Sequence, residues 1–443
     1  MALALAKFGG TSMASAEVAL RSAQVLRQRP EIRMCVISAT SGTTNALLRM
    51  AQQASRGEFP QLELDAFESR HQKFMAELQG PLEHVTGYCL RVKEILHGMQ
   101  LLREVSPSAL DDLLSHGELI SSRLFEQALH HHRLNPVWVD ARHLMKTNSE
   151  HGRAKPLLDL IKQHAENELR PHFARHVVVT QGYIGSDLQG RTTTLGKEGS
   201  DYSTALFAEA LEATEIQIWK DVPGVMTTDP RLCEKARTLA AISFAEVSEL
   251  TRFGAKVIHP DTFLPAQRAG IPVYVGYSQD PTVRGTRIEA DAKTQKGVLK
   301  AVSLKRDQRW LRVSPPVGES SDDFPLRVWQ LLQQHRIYPT LSLTNEGQLG
   351  FIVDKLASLS EDFLHVLRGF AQVELTEGEL VALIGHGVAE SAQLYSALGA
   401  ALEQERPFLI TGGASRHSLC LLVNPGQGEA LVRRLHAAHL EQA

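Results

Sequence analysis

ALAKFGGTS, residues 4–12, reads as an apolar strand that ends in a lysine and breaks at two glycines before a helical pattern over 15–29. Glycines at a strand-to-helix turn let backbone N–H groups approach an anion, and the helix N-terminus adds partial positive charge. A phosphate fits such a turn. Lys7 then stands as a mobile point charge for a transferring phosphoryl group. The spacing is not that of a Walker A loop, and a tight turn with an exposed lysine accounts for this motif equally well when it is taken alone.

The same alternation recurs along the chain. MCVISAT precedes a helical pattern at 43–56, VVVTQGYIG one at 201–213 and IQIWKDV one at 243–253. Short apolar runs alternating with longer helical patterns argue for βαβ units and a mostly parallel sheet covered on both faces. In such sheets ligands sit beyond the carboxyl ends of the strands. The unusual residues fall there. VISATSGTTN (36–45) is a second small, hydroxyl-rich, glycine-containing turn, offering Ser38, Ala39, Gly42 and Thr44. TTTLGKEGSDYS (192–203) is a third, with Ser200 and Asp201 at a helix start, where Asp201 is either a plain cap or a group that orients Lys7 or a magnesium ion.

From about 58 to 135 the pattern is almost wholly helical, an insertion over the sheet, with SHGELIS (115–121) read as a helix start that puts Glu118 in the first turn. The chain turns polar and Gly-rich over 276–300, which marks a domain boundary. Two smaller sets of elements follow. RWLRVS, a helix over 323–335, IYPTLSL, QLGFIV, a helix over 360–370 and QVEL form one; LVALIG, a helix over 391–404, PFLIT, SLCLLV and a helix over 426–438 form the other. Each has the split βαβ order of a ferredoxin-like module.

Composition narrows the partners. The 443 residues are 43% hydrophobic and 22% charged with a formal charge of −3, so no global basic field favours nucleic acid or an anionic membrane. MALALA is too short for a signal-peptide core, and no apolar run reaches bilayer length; a cytoplasmic location is expected. Cys35, Cys89, Cys233 and Cys420 lack zinc or redox spacing and read as buried thiols, and His130–His132 read as a solvated helix face.

KFGGTS, SHGELIS, TTTLGKEGSDYS, IWKDVPGVMTTDPR (218–231) and FGAKVIHP (253–260) together resemble the aspartokinases of the amino-acid-kinase family, and GASRHSLCLLV (413–423) carries the resemblance to the end of the chain. The type most resembled is lysine-sensitive and monofunctional. The resemblance implies an α/β fold: an αβα sandwich kinase domain over 1–292, then two ferredoxin-like ACT modules over 300–377 and 378–443. It implies transfer of the ATP γ-phosphate to the β-carboxylate of L-aspartate, the first step toward lysine, threonine and methionine. Homodimerisation through the ACT modules and an amino-acid effector are also implied. With the chain running to Ala443 soon after the second module, no fused homoserine dehydrogenase is expected.

Carried over residue by residue, Lys7, Asp201 and Lys256 are the implied catalytic groups. Ser38, Thr44, Glu118, Tyr183, Lys197 and Ser200 would surround aspartate, with Glu118 on its ammonium. Lys7, Gly9, Gly10, Ser38, Ala39, Lys220, Asp221, Met226, Arg231, Lys256 and Val257 would bind ATP, with Mg2+ bridging its phosphates and no direct protein ligand to the metal. Thr344, Asn345 and Glu346 are the implied effector residues. Three departures stand out. Lys197 and Glu198 replace the arginine and glycine of LGRGGSD, and Lys offers a point charge where Arg offers a bidentate clamp. Met226 stands where relatives often carry tyrosine. Thr340 stands where lysine-sensitive enzymes carry aspartate, so weak or absent lysine inhibition is expected. The departures leave two further readings: a related kinase with another acidic substrate, or a catalytically weak ACT-domain sensor.

Overall fold

The strand Ala4–Phe8 (β1) is buried along its whole length, which is the environment a central parallel strand requires. A computed structural model describes residues 3–255, 260–290, 292, 296–316, 323–345, 347–355, 359–402, 406–412 and 415–441. Two units divide the chain. The first comprises Met1–Val225, Thr238–Phe244 and Ile258–Ala292, and the second Met226–Arg237, Ala245–Val257 and Lys293–Ala443.

In the first unit, β1 joins Ile32–Ile37 (β2), Pro136–Trp138 (β3), Val177–Gln181 (β4), Glu215–Lys220 (β7), Ala241–Ser243 (β8), Val273–Tyr277 (β9) and Thr286–Glu289 (β10) in one sheet, ordered β3-β4-β2-β1-β7-β9-β10-β8. A separate hairpin pairs Ile184–Ser186 (β5) with Thr192–Thr194 (β6). The β9–β10 pair is antiparallel and the other neighbours in the large sheet are parallel. Lys7 is opposite Val36 on β2 and Ile218 on β7, so the turns that follow these three strands emerge side by side. Helices α1 (Ala16–Gln28) and α2 (Thr43–Ser55) follow the first two strands as expected.

The helical insertion consists of α3 (Gln61–Glu77), α4 (Glu83–Leu102) and α5 (Pro107–His131). Here one expectation is corrected. Glu118 is in the middle of the 25-residue α5, which begins at Pro107 with Ser106 capping the Ala109 N–H. Ser115 and His116 resemble cap residues, but both side chains bond back to the Asp112 carbonyl within the helix. Phe8 packs on Phe125 of α5 with ring centroids 4.8 Å apart, tying the insertion to the sheet. His130 and His131 are exposed and His132 is half-buried. The short helices α6 (Ala141–Leu144) and α7 (Leu158–His164) precede β4, α8 (Gly199–Ala210) precedes β7, and α9 (Phe244–Arg252) and α10 (Leu264–Ala269) lie before β9.

The second unit holds a six-stranded antiparallel sheet: Ala301–Ser314 (β11), Leu341–Asn345 (β12), Gln348–Asp354 (β13), Gln372–Ile384 (β14), Leu409–Thr411 (β15) and Ser418–Val423 (β16), ordered β12-β13-β11-β14-β16-β15. Besides α9, which belongs to this unit from Ala245 on, its helices among the described residues are α11 (Phe324–Gln334), α12 (Glu361–Arg368), α13 (Ala392–Ala401) and α14 (Gly428–His439). The two ferredoxin-like sets share strands. QVEL and LVALI are one continuous β14, and RWLRVS is the second half of a β11 that starts at Ala301. A register shift between Lys305 and Gln308 divides β11: its first half pairs with Leu380–Ile384, and its second half with β13 and with Gln372–Gly378. Each module thus has four strands, and the second takes its fourth from a segment that precedes the first. Two hydrophobic cores follow this division, one around Phe351 and Phe363, the other around Val302, Val381, Leu421 and Leu435. Leu232, from Met226–Arg237, packs into the latter.

Cys35, Cys89 and Cys420 are buried as expected, and burial pushes each thiol pKa up, that of Cys89 to about 12. Cys233 differs: it is only half-buried, against polar neighbours. Among the described residues no helix is long and apolar enough to cross a membrane.

Candidate active site

The turn after β1 and the turn after β2 come into contact because Gly10 has no side chain. A Cβ there would be 3.0 Å from the Ala39 carbonyl oxygen. Gly117 acts similarly from above, since a Cβ would meet the Ala39 methyl at 3.0 Å and Thr43 at 3.3 Å. Its absence lets α5 descend onto the second turn. Glu118 then accepts a hydrogen bond from the Ala39 N–H at 3.2 Å. Gly42, at φ 78°, reverses the chain into α2.

These turns frame two adjoining clefts. One, of about 420 Å3, is lined by Lys7, Gly9, Gly10, Ser38, Ala39, Thr44, Glu118, Lys220 and Asp221 among others. The other, of about 500 Å3, shares Lys7, Ser38, Thr44 and Glu118 and adds Tyr183, Lys197, Ser200 and Asp201. Thirteen sequence-derived candidates therefore converge in the first unit. Met226 and Arg231 belong to the second unit, where Arg231 pairs with Asp229 at 2.6 Å. Thr344 and Asn345 border a smaller cleft of about 180 Å3 with Arg312 and Glu374. Lys256, Val257 and Glu346 lie outside the described residues.

Charge is distributed unevenly. Lys7 Nζ is 2.5 Å from Asp201 Oδ1, with both side chains nearly buried. Burial pushes the Asp201 pKa up, but Lys7 and then Lys220 outweigh it and hold the carboxyl below its usual range. Burial and the nearby Lys7 lower the Lys220 pKa, offset in part by Asp201, Glu198 and Asp221. Glu118 is the opposite case: burial raises its pKa to about 8, and the Ala39 N–H and Lys7 only partly offset this. Its Oε2 is buried with no hydrogen-bond partner among the described residues.

Residues that the sequence reading passed over hold this arrangement in place. Asp111 is buried and accepts hydrogen bonds from the Gly152 and Thr194 N–H groups, the Thr194 hydroxyl at 2.6 Å and His151 at 2.9 Å. It thereby joins α5, the 147–155 loop and β6 around the second cleft. Beneath the second turn, the Thr40 hydroxyl bonds to Thr43 and to His71 Nε2, while His71 Nδ1 bonds to the Phe67 carbonyl. Burial depresses the His71 pKa to about 4, so the ring stays neutral. The sequence signal for His71 is a polar residue on a helix face that is otherwise apolar, with Leu64, Phe67, Phe74 and Met75; Asp111 shares its face with Ser115 and Glu118 and has no such signal.

Tyr183 adopts φ 67° and its N–H donates to the Ser203 hydroxyl at 2.9 Å. Burial lifts its phenol pKa to about 12. Lys197 and Glu198 are exposed, and Glu198, at φ 58°, immediately precedes α8 in a left-handed conformation. A glycine adopts that backbone without penalty.

Residues 2–277 match the profile of the amino acid kinase family. The chain is 36% identical to the lysine-sensitive aspartokinase 3 of Escherichia coli over 98% of each sequence. It is 29% identical to an aspartokinase of Chlamydia pneumoniae over 98% of this chain and 97% of that one. Among solved structures, E. coli aspartokinase III in complex with aspartate and ADP superposes with a TM-score of 0.84 at 36% identity, covering 98% of this chain and 99% of that one. The same enzyme with lysine and aspartate gives a TM-score of 0.84 over 99% and 100%.

Proposed function

Because this chain belongs to the amino acid kinase family, and within it to the aspartokinases, we propose how its clefts divide the work of an ATP-dependent aspartate kinase. The reaction moves the γ-phosphate of ATP to the β-carboxylate of L-aspartate and gives 4-phospho-L-aspartate, the first step toward lysine, threonine and methionine. A carboxylate oxygen attacks phosphorus as the bond to the ADP oxygen breaks. The nucleophile is already ionised, so catalysis rests on positioning and charge stabilisation.

Lys7 is the group that neutralises charge on the transferring phosphoryl, and Asp201 fixes its position through the 2.5 Å ion pair. Gly9 and Gly10 bring backbone N–H groups to the phosphates, and Lys220 adds a second cation. Glu118 takes the substrate ammonium, with Ser38, Thr44, Tyr183, Lys197 and Ser200 around the rest of aspartate. The observation that carries this reading is the buried Glu118 Oε2 without a partner, because such an atom costs free energy until a cation arrives. Lys256 and Val257 keep the roles implied by family resemblance, as do Met226 and Arg231 toward the nucleotide. Mg2+ enters with ATP. Hard oxygen donors suit it, and Asp221 lines the cleft where its water shell would lie. Bound there, it would neutralise phosphate charge.

The second unit serves as two ACT modules, over about 300–377 and 378–443, with dimerisation through them. In support, β12 is an edge strand, paired on one side only among the described residues. Thr344 and Asn345 border the small cleft that would receive an amino-acid effector. Lysine is a poor fit: Thr340 accepts a hydrogen bond from Lys305 at 2.8 Å, so this chain's own ammonium already holds that position. Micromolar inhibition by lysine would contradict the assignment. ATP turnover with L-aspartate, with acyl phosphate trapped as hydroxamate, tests the catalytic roles. Product is expected from the native protein and its loss from Lys7→Ala; equal product from both would remove Lys7 from the reaction.

A further inference from the structure

Within the second unit, three residues far apart in sequence meet, none of them among those that line the clefts described above. Cys233 lies in Met226–Arg237, His436 on α14 and Glu441 just beyond that helix. Cys233 Sγ is 3.4 Å from His436 Nδ1 and 3.8 Å from Glu441 Oε1, and Nδ1 and Oε1 are 3.4 Å apart. A zinc ion binds thiolate at about 2.3 Å, imidazole at about 2.0–2.1 Å and carboxylate at about 2.0–2.2 Å. With tetrahedral angles those lengths place sulfur about 3.5 Å from each of the other two ligand atoms, and nitrogen about 3.3 Å from oxygen. The observed triangle already has nearly those dimensions.

We propose that Cys233, His436 and Glu441 form a binding site for a soft divalent cation of the zinc type, with a fourth position open to water or a small ligand.

The surroundings suit this chemistry. His436 is fully buried, and its other nitrogen, Nε2, is 2.9 Å from the Thr227 hydroxyl. That oxygen also accepts from the Arg237 N–H, and its remaining lone pair can accept Nε2–H, which leaves Nδ1 free to ligate. Such a partner fixes the tautomer and orientation of a ligating imidazole. Lys235 bonds to Glu441 Oε2 at 2.6 Å, leaving Oε1 for the cation. On binding, the Cys233 thiol gives its proton to solvent. Thiolate and carboxylate together then balance the two positive charges.

The site would join two parts of the same unit. Met226–Arg237 carries the nucleotide candidates Met226 and Arg231, and its Leu232 packs in the core that α14 helps to build. A cation at Cys233 therefore pins that segment to the last helix of the second ferredoxin-like module. Cysteine spacing gives no hint of it, since 203 residues separate Cys233 from His436.

Cobalt(II) is the probe. Full-length protein stripped with a chelator and titrated with Co2+ should take up one equivalent, with a near-ultraviolet thiolate-to-cobalt band and visible bands of tetrahedral intensity that added Zn2+ abolishes. Cys233→Ser should lose the near-ultraviolet band, because the other three cysteines are buried. Thr227→Val should weaken cobalt binding about 10- to 100-fold while leaving the band shape unchanged. Circular dichroism confirms that each variant is folded. Absence of both band sets from the folded native protein overturns the proposal, and so does an unchanged thiolate band in folded Cys233→Ser.

Discussion

The active-site clefts bury two carboxylates, one set against the Lys7 that holds the phosphoryl group and one turned to the substrate, and the two are treated in opposite ways. Asp201 is in contact with the Lys7 ammonium and is held ionised; Glu118 has one N–H partner, an unpartnered oxygen and a pKa raised to about 8. Both have a buried oxygen without a hydrogen-bond partner, Oδ2 in Asp201 and Oε2 in Glu118, but only Asp201 has an ion pair among the described residues. A group that must keep a catalytic cation in place has its charge paired in the free enzyme. A group that must recognise an incoming cation is left short of one, so that the ligand supplies the missing interaction.

Breaking the ion pair should have the largest effect. Lys7→Ala should lower kcat by about 10^2- to 10^3-fold, as loss of a transition-state charge partner does. It should also destabilise the fold by about 3–5 kcal/mol, because Asp201 is left buried without its ion pair. Hydroxamate kinetics and urea denaturation read the two effects, and a fully stable Lys7→Ala would erase the contrast. Glu118→Gln should behave differently. Aspartate should bind about 10- to 100-fold more weakly, while stability holds or rises, since no buried partner loses a charge. A large stability loss in Glu118→Gln would mean that both carboxylates serve the fold. The smallest change is expected at an exposed residue on the rim of the second cleft. Glu198→Gly relieves a left-handed backbone at φ 58° against a greater loss of chain entropy, for a net gain of at most about 1 kcal/mol in urea denaturation. A loss larger than that would show that the Glu198 side chain contributes more than its exposure implies.

The surroundings of Lys7 were legible in the sequence because their information is local. An apolar run, a lysine and two glycines specify β1 and its turn, and Ser200 and Asp201 indeed open α8. The surroundings of Glu118 were harder to read. Glu118 was identified through family resemblance but misplaced in its helix, because Ser115-His116-Gly117 mimics a cap while the real one is Ser106-Pro107. Asp111 and His71 acquire meaning only from bonds made across the fold, to Thr194 and Thr40. The second unit shows the limit most clearly. Its helices and strands follow the sequence pattern closely, yet the fourth strand of the second module precedes the first module in the chain, and order along a sequence does not reveal such sharing.

Glu118 is left to receive a cation that aspartate brings. Calorimetric titration of L-aspartate into the protein at pH 7, in buffers of different ionisation enthalpy, tests it directly. Below its raised pKa Glu118 is largely protonated, and an arriving ammonium favours the carboxylate, so binding should release close to one proton and should tighten as pH rises toward 8. The release should vanish in Glu118→Gln. Binding with no proton released, and with an affinity that does not change between pH 6 and 8, would contradict the account.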